Sequence, residues 1–281
     1  MARAMTWITD IHPWEDGKNR EWLGTFRNLL PRRSCTVGVE RFKSSRGVLE
    51  GLRSVRARHK VVDISPIISE QRMIKSPLEI AIMREAGQVA IAMVEGGRDA
   101  MAEGVPEYEL ALAVLQAGTR KAATFMTDEG RDQFLSPTIN NLQVLNSGEH
   151  TCMVHRRSSN KPLAKGDPVY FCFCGMVNFK QYKLGFDRQF WVGEAPENQM
   201  ATYEVSLAAQ QAALDAIKPG AIAEDVAEAA NAVYREAGFA AGYRTGRAIG
   251  MSYLEAPELK QGDRTVLQEG MTFAVDGGIT V

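Results

Sequence analysis

"GVPEYELALAVLQAG", residues 104–118, returns in outline as "GAIAEDVAEAANAVY", residues 220–234. Each opens on a glycine, carries an acidic residue five positions on (Glu109, Asp225), and continues as an apolar, alanine-rich stripe of helical period. A long Ala- and Met-rich segment precedes each copy, and a β-rich stretch follows each. After the first come residues 133–155 and 167–179; after the second come 242–253 and 271–281. This layout predicts two similar halves that make one domain, a pseudo-symmetric sheet flanked by helices with a site between the halves. It does not suit a dinucleotide fold, because neither G-x-G-x-x-G after a strand nor a Walker A loop is present.

Upstream, "KSPLEIAIMREAGQVAIAMVEGG" (75–97) starts with a capping box, Ser76 and Glu79, with Pro77 at the first helical position. Ile82, Ala86, Val89 and Met93 then fall on one helical face. This helix start divides the sequence into a domain at 1–74 and a second at 75–281. The first 74 residues alternate: strands near 4–11, 35–40 and 59–65, helices near 19–30 and 44–55, a small α/β domain.

The formal charge of −1 gives no global footprint for nucleic acid or an anionic membrane surface. No apolar run reaches the roughly 18–20 residues of a membrane span, and the N-terminus lacks a signal-peptide core, so a cytoplasmic protein is expected. Cys35, Cys152, Cys172 and Cys174 lack the spacing of a structural zinc site and read as buried thiols in a reducing compartment.

Four ordered motifs, "KSPLEI", "IKPGAIAEDV", "TGRAIG" with "EAP" after it, and "EGMTFAVDGG", resemble the creatinase and aminopeptidase P family. The resemblance runs from about Lys75 to the C-terminus. It implies an α+β pita-bread fold, with residues 1–74 similar to the latter part of that family's N-terminal domain. It also implies a homodimer; in related dimers an N-domain loop can cover the partner's site, which would give the "HPWEDG" loop with Trp14 a part in substrate recognition, while an exposed loop at a domain edge is the default reading.

The family's metallopeptidases hold two metal ions with two aspartates, a histidine and two glutamates. Carried over, the first aspartate falls near Cys172 or Phe173, the second at Gly185, the histidine at Arg247 and the first glutamate at Asp276. The last glutamate falls beyond Val281, leaving the domain's final strand outside this sequence. Arginine has no lone pair for a metal and its charge repels one, so no metal or other cofactor is expected. A different set matches the metal-free creatinase branch. His155 lies at the family's catalytic histidine, while Asp187 and Asp276 stand where creatinase has glutamates that anchor a cationic substrate.

Histidine can take a proton from water and return it to a leaving nitrogen, so His155 is the candidate catalytic residue. Asp187 and Asp276 suit a guanidinium, an amidine or a protonated amine. Arg247 suits a substrate carboxylate or an ion pair with Asp276. Glu255 and Pro257 keep the family's E-x-P turn, and Glu255 reads as architectural. The aromatic group from Tyr170 to Trp191, with Phe186, reads mainly as strand core. The leading expectation is a metal-independent, creatinase-like hydrolase of a C–N bond in a small cationic or zwitterionic compound. An Xaa-Pro metallopeptidase and an inactive module that binds peptides or proteins are the alternatives.

Overall fold

The chain divides into two units, Met1–Gln71 and Arg72–Val281. The computed structural model describes all residues except 1–2, 4–5, 14–20, 42, 53, 55–57, 129–131, 140–143, 154, 174–176, 186 and 280–281. Trp14, Cys174 and Phe186 therefore lie outside the described residues.

In the first unit, α1 (Glu21–Leu29), β1 (Thr36–Val39), α2 (Arg46–Leu52) and β2 (Lys60–Asp63) alternate along the chain. β1 and β2 pair in parallel, from Thr36 opposite Lys60 to Val39 opposite Asp63. Leu23, Val37 and Leu52 are buried between these elements, with Trp22, Phe26 and Val48 packed on them. The strand expected near 4–11 is not formed across residues 6–11. Trp7 and Ile8 point to solvent, Trp7 being 92% exposed, and alternation without a ladder partner does not make a strand. A further helix, α3 (Ser65–Met73), leads out of this unit.

The second unit begins with the capping box. Ser76 Oγ accepts from the Glu79 N–H (3.3 Å), and Glu79 Oε2 accepts from the Ser76 N–H (2.8 Å), opening α4 (Pro77–Asp99). Ala86, Val89 and Met93 on its expected face are buried. They pack with α5 (Glu107–Thr124) and with β-strand aromatics in the larger core. Gly97 and Gly118 are required at this contact. A Cβ on Gly97 would stand 2.6 Å from the Phe171 ring, and one on Gly118 would stand 2.5 Å from Met93 Cγ. A second helix pair, α6 (Glu197–Ala216) and α7 (Ala223–Glu236), buries Ala209, Ala213, Val226 and Ala230 in its own core.

The sequence repeat corresponds to a repeated set of backbone hydrogen bonds. Gly104 N–H donates to Leu163 O and Gly220 N–H to Leu267 O (2.8 and 2.9 Å). The return bonds, Leu163 to Val105 O and Leu267 to Ala221 O, match as well (2.9 and 2.8 Å). So do Glu107 to Lys161 O and Ala223 to Thr265 O, each 3.0 Å. Both glycines take a left-handed conformation, φ 83° and 90°, which explains their place in the pattern.

Among the described residues of the second unit, the strands form two three-stranded antiparallel sheets and a hairpin. β3 (Val144–Ser147), β4 (Pro168–Cys172) and β7 (Asp187–Trp191) pair in that order. β8 (Gly246–Ala248) lies between β9 (Glu255–Leu259) and β10 (Phe273–Val275). β5 (Val177–Phe179) and β6 (Tyr182–Leu184) make the hairpin.

The E-x-P turn is fixed by a buried ion pair. Lys75 Nζ lies 2.9 Å from Glu255 Oε2, with the side chains 3% and 5% exposed. Glu255 Oε1 also accepts the Ser252 N–H at 2.9 Å. Lys75→Met should leave the Glu255 carboxylate buried and uncompensated, lowering stability by about 3 kcal/mol in a urea titration. A stability unchanged within error would show that Glu255 finds solvent once the lysine is gone.

Candidate active site

Period-two alternation gives the sheet of β3, β4 and β7 two unlike faces. Leu145, Val169, Phe171 and Phe190 turn into the larger core. On the other face Asn146, Tyr170 and Gln189 lie opposite one another across the three strands. Cys172 and Asp187 form the next cross-strand pair. Placing polar groups in one row is affordable only where they bond to one another or to a ligand.

Tyr170 is hydrogen-bonded with Asp187 and Cys172. Burial pushes its phenol far above the ordinary range, and the neighbouring Asp187 and Cys172 push it the same way. The hydroxyl is therefore a protonated donor at neutral pH. Arg188 turns its guanidinium to the backbone, with Nη1 2.6 Å from the Asp187 carbonyl.

From the other sheet, β8 contributes Arg247 and the residue after β10 contributes Asp276. Arg247 lies opposite Ala274 in the ladder, and the Asp276 N–H donates to Thr245 O at 2.7 Å. Arg247 is 4% exposed. Its Nε donates to Tyr253 O at 2.9 Å, and Nη1 donates to Asp276 Oδ2. Burial raises the Asp276 carboxyl above its ordinary value, Arg247 opposes that, and Asp187 adds to it. Asp187, on the other sheet, is therefore within electrostatic reach of Asp276.

Arg247 is thus bonded to Asp276, and Asp187 to Tyr170, which the sequence reading left among the core aromatics. The structure does not gather His155 with them. His155 is exposed, in the left-handed region at φ 57°. Among the described residues no hydrogen bond or ion pair joins its side chain to Asp187, Asp276 or Arg247. Two thiol expectations also change: Cys172 is buried, but Cys152 is exposed and Cys35 half-buried.

One buried carboxylate went unnoticed in the sequence. Glu107 is fully buried and accepts five hydrogen bonds. They come from the Ser147 N–H and Oγ (2.8 and 2.9 Å), the Ser159 N–H and Oγ (2.9 and 2.8 Å), and His150 Nδ1 (3.2 Å). Burial acts to raise its pKa, but the donors from Ser159 and Ser147 together outweigh this and hold the carboxyl below its ordinary value. The repeat contained the signal: Glu107 occupies the place of Ala223, and both positions are fully buried.

Residues 81–281 match the metallopeptidase family M24. The chain belongs to that family. Its members are hydrolases that act on C–N bonds, and the fold is the pita-bread fold of M24 prolidases. Similar proteins include the agropine synthesis cyclase of Rhizobium rhizogenes, 27% identical over 268 residues, covering 94% of this chain and 67% of that one. The creatinase of Bacillus sp. (strain B-0618) is 26% identical over 257 residues, covering 88% and 60%. Among solved structures, the prolidase from Pyrococcus horikoshii OT3 superposes with a TM-score of 0.79 at 25% identity, covering 94% of this chain and 71% of that one. The chain spans about two thirds of the length of these relatives.

The M24 name implies metal, and the donors here do not fit a divalent pair. At the positions given by the family's motifs stand Cys172 or Phe173, Gly185, Arg247 and Asp276. They supply one carboxylate, and a guanidinium already bonds to it. Among the described residues, no three His, Cys, Asp or Glu side chains converge as a metal site would need.

Proposed function

We propose that this M24 protein is a metal-independent, creatinase-like hydrolase that cleaves a C–N bond in a small cationic or zwitterionic nitrogen compound. The observation that carries the reading is the buried Arg247–Asp276 pair at two of the family's ligand positions, with Asp187 beside it. Asp187 and Asp276 supply carboxylates of the kind a ligand cation would meet. Arg244, the next arginine, is already bonded to Glu258 (3.0 Å).

In this reading Asp187 and Asp276 bind a guanidinium, an amidine or an ammonium by charge-assisted hydrogen bonds. Arg247 orients Asp276 and offers its remaining donors to a substrate carboxylate. His155 takes a proton from water as the oxygen adds to the substrate carbon, and delivers it to the nitrogen as the C–N bond breaks. Its exposed setting lets it exchange protons with solvent, and such contacts commonly tighten only when substrate is bound. A homodimer and a cytoplasmic location accompany this reading; no described helix is long and apolar enough to cross a membrane.

The test is a screen of guanidino and amidino compounds against protein whose metal content is measured. Turnover with under about a tenth of a metal ion per chain, and a loss of about 100-fold or more in kcat for His155→Ala at unchanged melting temperature, are expected. A folded, fully active His155→Ala variant would remove the central residue. The likeness to a prolidase favours a second reading, an Xaa-Pro metallopeptidase. Near-stoichiometric metal with manganese-stimulated cleavage of Xaa-Pro peptides would put that reading first.

A further inference from the structure

The chain around His155 is held from β3 at successive residues. Ser158 Oγ donates to Leu145 O at 2.8 Å. Asn146 Nδ2 donates to Arg156 O at 3.0 Å. Ser147 and Ser159 share the Glu107 carboxylate. Among these ties, that of Asn146 reaches the residue directly after His155. Asn146 is fully buried, and its Oδ1 has no hydrogen-bond partner among the described residues. Burying an amide with half its capacity unmet is costly, and a strand position facing Tyr170 would otherwise suit an apolar side chain. His155 meanwhile holds a left-handed backbone, which costs a non-glycine residue on the order of 1 kcal/mol and persists only when its surroundings impose it.

We infer that Asn146 is a positioning residue for His155: its amide fixes the Arg156 carbonyl and so holds the preceding residue in its left-handed conformation. This rests on the acid–base role proposed for His155. Asn146 touches no reacting atom. It sets the backbone from which the imidazole is presented, and a misplacement of about 1 Å can reduce turnover on the order of 100-fold.

The four histidines of the chain allow a direct test by NMR of the histidine-labelled chain, with His155→Gln assigning the His155 signal. Asn146→Ala is expected to shift or broaden that signal while those of His12 and His59 stay in place. On a compound the wild type hydrolyses, kcat should fall about tenfold or more with KM within about twofold. A folded Asn146→Ala protein with the His155 signal unmoved would overturn the inference, even with a lowered melting temperature, because a purely structural asparagine would give that result. Should Asn146→Ala not fold, Asn146→Ser, which stays polar but no longer reaches Arg156, gives the same readings. If His155→Ala keeps full activity, the acid–base role falls, while the NMR signal still decides whether Asn146 sets the conformation of His155.

Discussion

Asp276→Ala is expected to destabilise the protein by about 3 kcal/mol, and to do so more than the double variant Asp276→Ala/Arg247→Met. Arg247 is almost fully buried, and its bonds to Asp276 and to the Tyr253 carbonyl are what compensate its desolvation. Removing the carboxylate leaves a buried guanidinium without its bonded partner, whereas replacing both partners removes the charge with its cost. Asp276 keeps some solvent contact, 28% of its side chain, so the penalty belongs at the lower end of the range for buried pairs. Urea titrations of the wild type, both single variants and the double variant form the cycle. If the double variant is as unstable as the sum of the singles, the two groups are independent and the pair does not hold the site together.

Glu107→Gln is expected to cost about 3 kcal/mol as well, by a different route. The glutamine has nearly the same shape, but one carboxylate oxygen becomes an amide that donates, and it faces the N–H and hydroxyl of either Ser147 or Ser159. The wild type should also show acid sensitivity that the variant lacks. The folded pKa of Glu107 lies below its ordinary value of 4.5, so its contribution is fully present above that pH. It is lost as pH falls through the lowered folded value. Stability measured from pH 6 downward should therefore fall more steeply in the wild type than in Glu107→Gln. Parallel curves would mean that another carboxylate sets the acid limit.

What the sequence revealed follows from how local each interaction is. The capping box at Ser76 and Glu79 and the buried face of α4 depend on residues within a few turns of one another, and both were readable. The pita-bread fold was readable because several ordered motifs agree, where any one would have been weak. The Lys75–Glu255 bond joins residues 180 apart, so the sequence marked Glu255 as architectural but did not name its partner. The strand expected near residues 4–11 shows the limit of periodicity, since alternation specifies a face but not a neighbour to bond with. In the site, the resemblance pointed to Asp187, Asp276 and Arg247, and of these Arg247 and Asp276 are bonded to each other. Tyr170 was hidden among aromatics because a sequence does not say which face of a strand turns to the core. The outward setting of His155 depends on a backbone angle that histidine's identity does not dictate.

The matching bonds that begin at Gly104 and Gly220 are all between main-chain atoms. The frame of each half is consequently indifferent to the side chains it displays, apart from the glycines. One half can carry a buried glutamate where the other carries alanine, and a guanidinium can stand where relatives in the family place a metal ligand, without redrawing the backbone. Such a scaffold allows its chemistry to be exchanged by substitution alone, so activity within this fold can diverge much faster than shape.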